Sequence, residues 1–241
     1  MTAFTETERH LFLPGTGLEA AYENDAVPVK HDRDGVMISC ISAPSVVAIQ
    51  LEQLGVRPGD KVLEAGAATG YNAALLASLA GPDGHVWTID VDEDLVRDAA
   101  AHLKAARVAN ATVVLGDGAA GLPDDAPFDR VQFTVGSADI PPAILDQVAP
   151  GGRLVIPLRI RGSISRSVAF ERDGDEPRGR QYRTRWRRSS RSASPPPTTP
   201  APASRWPATG PSPWRHGTTR TPTRTRSPPS STPPAPRSGR K

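Results

Sequence analysis

Three carboxylates punctuate the middle of this 241-residue chain: Glu64, Asp90 and Asp117. Each closes or follows an apolar run: Lys61-Val62-Leu63, His85-Val86-Trp87-Thr88-Ile89 and Ala111-Thr112-Val113-Val114-Leu115. An acid at a strand's carboxyl end can accept hydrogen bonds from ribose hydroxyls or from the amino group of a base. Glu64 runs straight into a glycine turn, Ala65-Gly66-Ala67-Ala68-Thr69-Gly70-Tyr71, and Ala73 to Leu79 then has helical spacing. Gly66 and Gly70 allow a ligand close to the backbone, and the start of a helix beyond such a turn is where a nucleotide-like cofactor is held. Asp90 stands 24 residues beyond Gly66, near the spacing of about 20 at which an acid meets a ribose.

The turn also selects among cofactors. Dinucleotide binding requires G-x-G-x-x-G, whose second glycine makes room for a pyrophosphate. Ala68 occupies that position, and no Lys or Arg follows to meet phosphates. The pattern E-x-G-x-x-x-G favours a cofactor with an adenosine but no phosphate, and S-adenosylmethionine is the commonest such molecule. The cofactor residues expected on this reading are Glu64, Gly66, Ala67, Gly70, Asp90, Asp117 and Gly118.

Elements must bring these positions together. Strands are expected at 61–64, 85–90, 111–115, 130–135 and 153–158, with a sixth at 165–170. Helices are expected over 94–107 and 141–148, and one from Pro44 whose apolar face is Val46, Val47, Ile49, Leu51 and Leu54, ended by Gly55. Near-continuous apolar strands alternating with helices predict an α/β fold with a doubly wound, mostly parallel sheet. The segment from Met1 to about Gly35 reads as irregular and draped over the site.

Ser42 or Ala43 falls near the cap of the Pro44 helix, and on residue chemistry alone Ser42 reads as a capping hydroxyl. Cys40 reads as a small buried apolar residue without a partner base. His10 and His31 are isolated, with no second ligand at metal spacing, so no metal site is expected.

Charge divides the chain. Residues 1–176 hold all 26 acidic residues and 14 of the 29 basic ones, a balance of −12. Residues 177–241 hold the other 15 basic residues, no acid, 15 of the 26 prolines, and no Leu, Ile, Val, Met or Phe. Such a segment cannot bury enough apolar surface to offset its chain entropy, and it is expected to be a disordered tail. Its arginines and Trp186, Trp206 and Trp214 would be the only nucleic-acid-binding feature. The single cysteine forbids an internal disulfide, and no apolar run reaches the roughly 18 residues of a membrane span. A cytoplasmic monomer is the expectation. Three parts follow: 1–60, an N-terminal segment with a substrate-side helix; 61–176, the cofactor-binding core; and 177–241, the tail.

Seven segments carry a resemblance to one family: Arg9-His10-Leu11-Phe12, Ile41-Ser42-Ala43-Pro44, Val62 to Tyr71, Gly116-Asp117-Gly118, Ala126-Pro127-Phe128-Asp129, Ile140-Pro141-Pro142-Ala143, and Gly151-Gly152-Arg153-Leu154-Val155-Ile156-Pro157. Together they resemble the protein-L-isoaspartate O-methyltransferase family, within the class I S-adenosylmethionine-dependent methyltransferases. The resemblance implies a Rossmann-like methyltransferase sheet and esterification of an aspartyl or isoaspartyl carboxylate in a peptide or protein. It implies that Ser42 is the catalytic-site serine at the acceptor carboxylate. Ser45 stands where some relatives carry histidine. The segments Asp32-Arg33-Asp34-Gly35, Arg159-Ile160-Arg161-Gly162 and Phe170-Glu171-Arg172-Asp173-Gly174-Asp175 are similar to a branch associated with actinobacterial lanthipeptide clusters. That similarity implies an aspartate in a modified peptide as acceptor.

A carboxylate acceptor needs no general base, because its reference pKa is about 4 and it is already an anion at neutral pH. Thr134-Val135-Gly136-Ser137 stands where amino-group methyltransferases carry Asn/Asp-Pro-Pro-aromatic, which argues against a base amine as acceptor. The family continues past the sixth strand with an apolar strand that the Pro/Arg-rich segment replaces here. A sheet without its last strand is therefore expected, as is a frameshift origin for residues beyond about 175–181. The alternatives are a truncated, inactive remnant and a methyltransferase for a small molecule or RNA.

Overall fold

The computed structural model describes residues 2–159, 165–173 and 182–184. The chain divides into two units, Met1–Ala201 and Pro202–Lys241, and every described residue lies in the first. Helix α1 (Thr2–Glu6), a 3-10 turn (Arg9–Phe12) and helix α2 (Leu18–Tyr22) open it. An antiparallel hairpin follows, β1 (Val27–His31) and β2 (Met37–Ile41).

The hairpin corrects the expectation of an irregular front segment. Its turn is closed by Asp32, whose Oδ1 accepts from the amides of Asp34 and Val36, while Gly35 takes a φ of 78°. The turn chemistry is local and readable; the strands are not. Pro28 argues against a strand, and a two-stranded ribbon is marginal alone, so its partial burial depends on what it packs against.

Helix α3 (Pro44–Leu54) ends on left-handed Gly55. Strands and helices then alternate: β3 (Lys61–Ala65), α4 (Tyr71–Ala80), β4 (His85–Asp90), α5 (Glu93–Ala105), β5 (Ala111–Leu115), β6 (Phe128–Phe133), α6 (Pro142–Gln147) and β7 (Val148–Arg159). Strands β8 (Ser165–Arg172) and β9 (Tyr182–Thr184) complete a sheet of order β5-β4-β3-β6-β7-β8-β9. The first five are parallel, and β8 and β9 are antiparallel to their neighbours. Helix α5 starts earlier than the periodicity predicts because Asp92 caps it, accepting from the amides of Asp94 and Leu95. Strand β9 belongs to the segment read as tail, and it adds three residues to the sheet edge against β8. The rest of that segment, and with it the expected disorder, lies outside the described residues.

The two faces of the sheet follow the period-two alternation of the strands. Val62, Val86 and Val155 pack with Leu51 and Leu54 of α3 and Leu75 and Leu76 of α4. Leu63, Ala65, Ile89, Leu154 and Ile156 pack with Ile144 of α6. Each such fully buried Leu, Ile or Val contributes roughly 1.5–3 kcal/mol. Strand β3 pairs with β4 on one side and β6 on the other, so the winding reverses beside it. The crevice outside the carboxyl ends of these strands is where such a sheet binds ligands.

Candidate active site

The turn after β3 is built on three left-handed residues, Gly66 (φ 107°), Ala68 (φ 45°) and Gly70 (φ 86°). At Gly66 a Cβ would overlap Thr134 Oγ1 and stand 2.9 Å from Val135 Cγ1. Thr134, just past β6, props the turn from beneath by donating to the carbonyls of Gly66 at 2.8 Å and Ala65 at 3.1 Å. Ala67 is buried, and its carbonyl accepts from the Gly70 amide at 2.8 Å, closing the turn. Ala68 pays for its left-handed backbone with roughly 1–2 kcal/mol. Its amide is anchored on Asp90 Oδ2 at 3.1 Å.

Asp90 is therefore oriented from both sides, its Oδ1 accepting from the Asp92 amide at 3.1 Å. Each oxygen keeps a second lone pair for a ligand hydroxyl. Asp117 is exposed after β5, with Oδ1 accepting from the Ala119 amide at 2.8 Å. Gly118 is buried where a Cβ would stand 2.7 Å from Ala65 Cβ, so only glycine lets the turn after β5 press on the end of β3. The structure thus places Gly66, Ala67, Gly70, Asp90, Asp117 and Gly118 at the carboxyl ends of β3, β4 and β5.

Glu64 is fully buried on the α3/α4 face. Its Oε1 accepts from Asn72 Nδ2 at 2.8 Å, and the same Nδ2 reaches Gln132 Oε1 at 3.2 Å. Gln132 Nε2 in turn donates to Gln50 Oε1 at 3.3 Å. Burial pushes the Glu64 carboxyl up to about 7, against the opposing influence of Thr88 and Asn72. Thr88 acts only by proximity, since neither Thr88 Oγ1 nor Glu64 Oε2 makes a hydrogen bond of good geometry. Thr69 Oγ1 and Asn72 Oδ1 are likewise buried without partners. Orphaned polar atoms packed around a glycine turn are what a polar ligand would satisfy.

Ser42 follows β2, half-buried. The cap of α3 is Ala43, with no side-chain capping bond, so Ser42 is not the capping hydroxyl that residue chemistry suggests. Its Oγ makes no hydrogen bond among the described residues. Cys40 is half-buried, and burial pushes its thiol above the ordinary range, which suits a packing residue and not a nucleophile. His10 pairs with the Tyr22 hydroxyl at 3.0 Å, and His31 is exposed. The hairpin is latched to the start of α5 by Lys30 Nζ, 2.6 Å from Asp92 and 3.2 Å from Asp94.

Sequence reasoning missed Gln50, Asn72, Gln132, Thr134, Lys30 and the surroundings of Arg9. A readable signal existed for two of them: Gln132 and Thr134 interrupt the apolar run Val131 to Val135. The others acquire meaning only from partners distant in the chain.

A mostly parallel sheet with a left-handed glycine turn at its reversal point and acids at successive strand ends defines a Rossmann-like, S-adenosylmethionine-dependent methyltransferase. Residues 1–184 match the family described as protein-L-isoaspartate(D-aspartate) O-methyltransferase, and the chain belongs to that family. A protein-L-isoaspartate O-methyltransferase of Methanothrix thermoacetophila is 39% identical over 166 residues, covering 69% of this chain and 75% of the relative. A second such enzyme, from Archaeoglobus fulgidus, is 37% identical over 171 residues, covering 71% and 74%. Among solved structures, a protein-L-isoaspartate O-methyltransferase aligns with a TM-score of 0.65 and 30% identity, over 77% of this chain and 58% of that one. A structure from Plasmodium falciparum, solved with S-adenosyl-L-homocysteine, shares the fold at a TM-score of 0.61 and 17% identity, over 76% of this chain and 85% of that one. S-adenosylmethionine is the family's cofactor, and the orphaned polar atoms and close-approach glycines described above fit such a group. Among the described residues, no helix is long and apolar enough to cross a membrane.

Proposed function

We propose that this protein esterifies the free carboxylate of an isoaspartyl residue in a peptide or protein. The observation that carries the reading is the family match over residues 1–184, which spans both Ser42 and the glycine turn. The cofactor supplies an electrophilic methyl group on a sulfonium. Gly66, Ala67, Gly70 and Gly118 let the backbone approach it, Asp90 takes its ribose, Asp117 its adenine, and Glu64 supports the turn from behind. Ser42 Oγ–H donates to the acceptor carboxylate and aims its other oxygen. The acceptor arrives ionised, so positioning and exclusion of water are the enzyme's tasks, and no base is required.

Incubation with methyl-labelled cofactor and matched isoaspartyl and aspartyl peptides tests the reading. Base-labile label on the isoaspartyl peptide alone is the expected result. An enzyme that binds S-adenosylhomocysteine and labels neither peptide overturns it. A second acceptor, an aspartate in a modified lanthipeptide precursor, rests on the likeness of the Asp32-Arg33-Asp34-Gly35 segment to that branch. The same assay run on such a precursor separates the two.

A further inference from the structure

Arg9 is a buried cation with no anion beside it among the described residues. It is only 1% exposed. Its Nε donates to the Ala21 carbonyl at 2.7 Å, which fixes the plane of the guanidinium. Nη1 and Nη2 are both buried and make no hydrogen bond among the described residues. The groups bearing on it electrostatically are Tyr71, Tyr22 and Cys40, and tyrosine and cysteine side chains are neutral near pH 7. The Tyr71 ring lies under the guanidinium, 5.1 Å from Cζ, and softens the cost of burial without satisfying a donor. The Tyr71 hydroxyl favours the cation by proximity but forms no well-shaped hydrogen bond with it. An arginine stays charged even when buried, so an unpaired one is costly unless something absent completes it.

Its position says what that is. Tyr71 is the first residue past the glycine turn, and Cys40 lies two residues before Ser42. The guanidinium therefore stands between the cofactor turn and the strand that leads to the acceptor serine. Two adjacent N–H donors of a guanidinium match the two oxygens of a carboxylate. We propose that Arg9 is a carboxylate-binding residue of this active site, with Nη1 and Nη2 as the fork. Two sources share that chemistry: the amino-acid carboxylate of the cofactor, and the carboxylate of the acceptor, the latter resting on the function proposed above.

The test uses the full chain with Arg9→Gln and Arg9→Lys. Equilibrium binding is measured for S-adenosylhomocysteine and for methylthioadenosine, which keeps the adenosine thioether and lacks the amino acid. Steady-state kinetics are measured with the isoaspartyl peptide. If the cofactor carboxylate is the partner, R9Q weakens S-adenosylhomocysteine at least tenfold and leaves methylthioadenosine within twofold of wild type. If the acceptor is the partner, both affinities hold and the peptide KM rises at least tenfold. R9K keeps the buried charge without the fork, so it shows the same selective loss to a smaller degree, and it serves if R9Q does not fold. Loss of both nucleosides together, or no change in any quantity, overturns the proposal. Should wild type bind S-adenosylhomocysteine yet methylate no isoaspartyl peptide, the acceptor assignment fails, and the comparison of the two thioethers alone decides for or against Arg9.

Discussion

Glu64 sits at the carboxyl end of the central strand, where burial holds its carboxyl near 7, up from 4.5. A raised value means that folding favours the protonated form. Its contribution to stability is fully present below about pH 4.5 and is lost as pH rises through about 7. The size of that loss is about 3 kcal/mol. Glu64→Gln, which mimics the neutral acid, is expected to flatten this slope. Urea unfolding at pH 5 and pH 8 for both proteins checks it, and an unchanged slope in the variant would contradict the assignment. Ser42 makes a different prediction because no described residue uses its hydroxyl. Ser42→Ala should lower kcat/KM for the isoaspartyl peptide roughly 10- to 100-fold, the loss of one hydrogen bond to a charged group, with S-adenosylhomocysteine affinity unchanged.

The glycine turn and the hairpin are the elements that shape the crevice. Gly66→Ala meets two obstacles, a left-handed φ of 107° and overlap with Thr134 Oγ1. We expect it to destabilise the fold by roughly 1–3 kcal/mol and to abolish cofactor binding. Adding Thr134→Ala removes one obstacle but leaves the backbone strain and Val135, so calorimetric titration of the double variant should show only partial recovery. The hairpin offers a comparison of roles. Asp92 both caps α5 and receives Lys30, whereas Lys30 serves only the latch. Asp92→Ala should cost about 1 kcal/mol through the lost cap. Lys30→Ala should leave the melting temperature nearly unchanged and instead speed amide exchange in residues 27–41. Equal effects of the two variants on melting would argue against this division.

Across the whole chain, charge and apolar content separate together: −12 lies within 1–176, and the apolar side chains needed for a core end there too. Residues 202–241 contain no Leu, Ile, Val, Met or Phe with which to add to that core. A chain ending at Ala201 is expected to bind S-adenosylhomocysteine with unchanged affinity and to melt at the same temperature as the full chain. A clear drop in either would mean that residues 202–241 take part in the fold or the site. The fold class was legible from residues alone because its signals are short-range. Apolar runs of five or six residues, glycine punctuation and an acid at a strand end each lie within one element. Strand limits were less legible: β6 begins at Phe128 and β7 at Val148, because pairing with neighbours, not apolar content, decides where a strand starts.

By itself the sequence determined the mostly parallel α/β plan, the glycine turn and the acids at its strand ends. All of these depend on residues adjacent in the chain. Only the tertiary structure decided the hairpin latch, the buried chain from Glu64 through Asn72 and Gln132 to Gln50, the freeing of Ser42 from its capping role, and the isolation of Arg9. Gln132 and Gln50 are 82 positions apart, and Lys30 and Asp92 are 62. Burial and partnership at such distances are properties of the packed chain, and no local pattern of residue types encodes them.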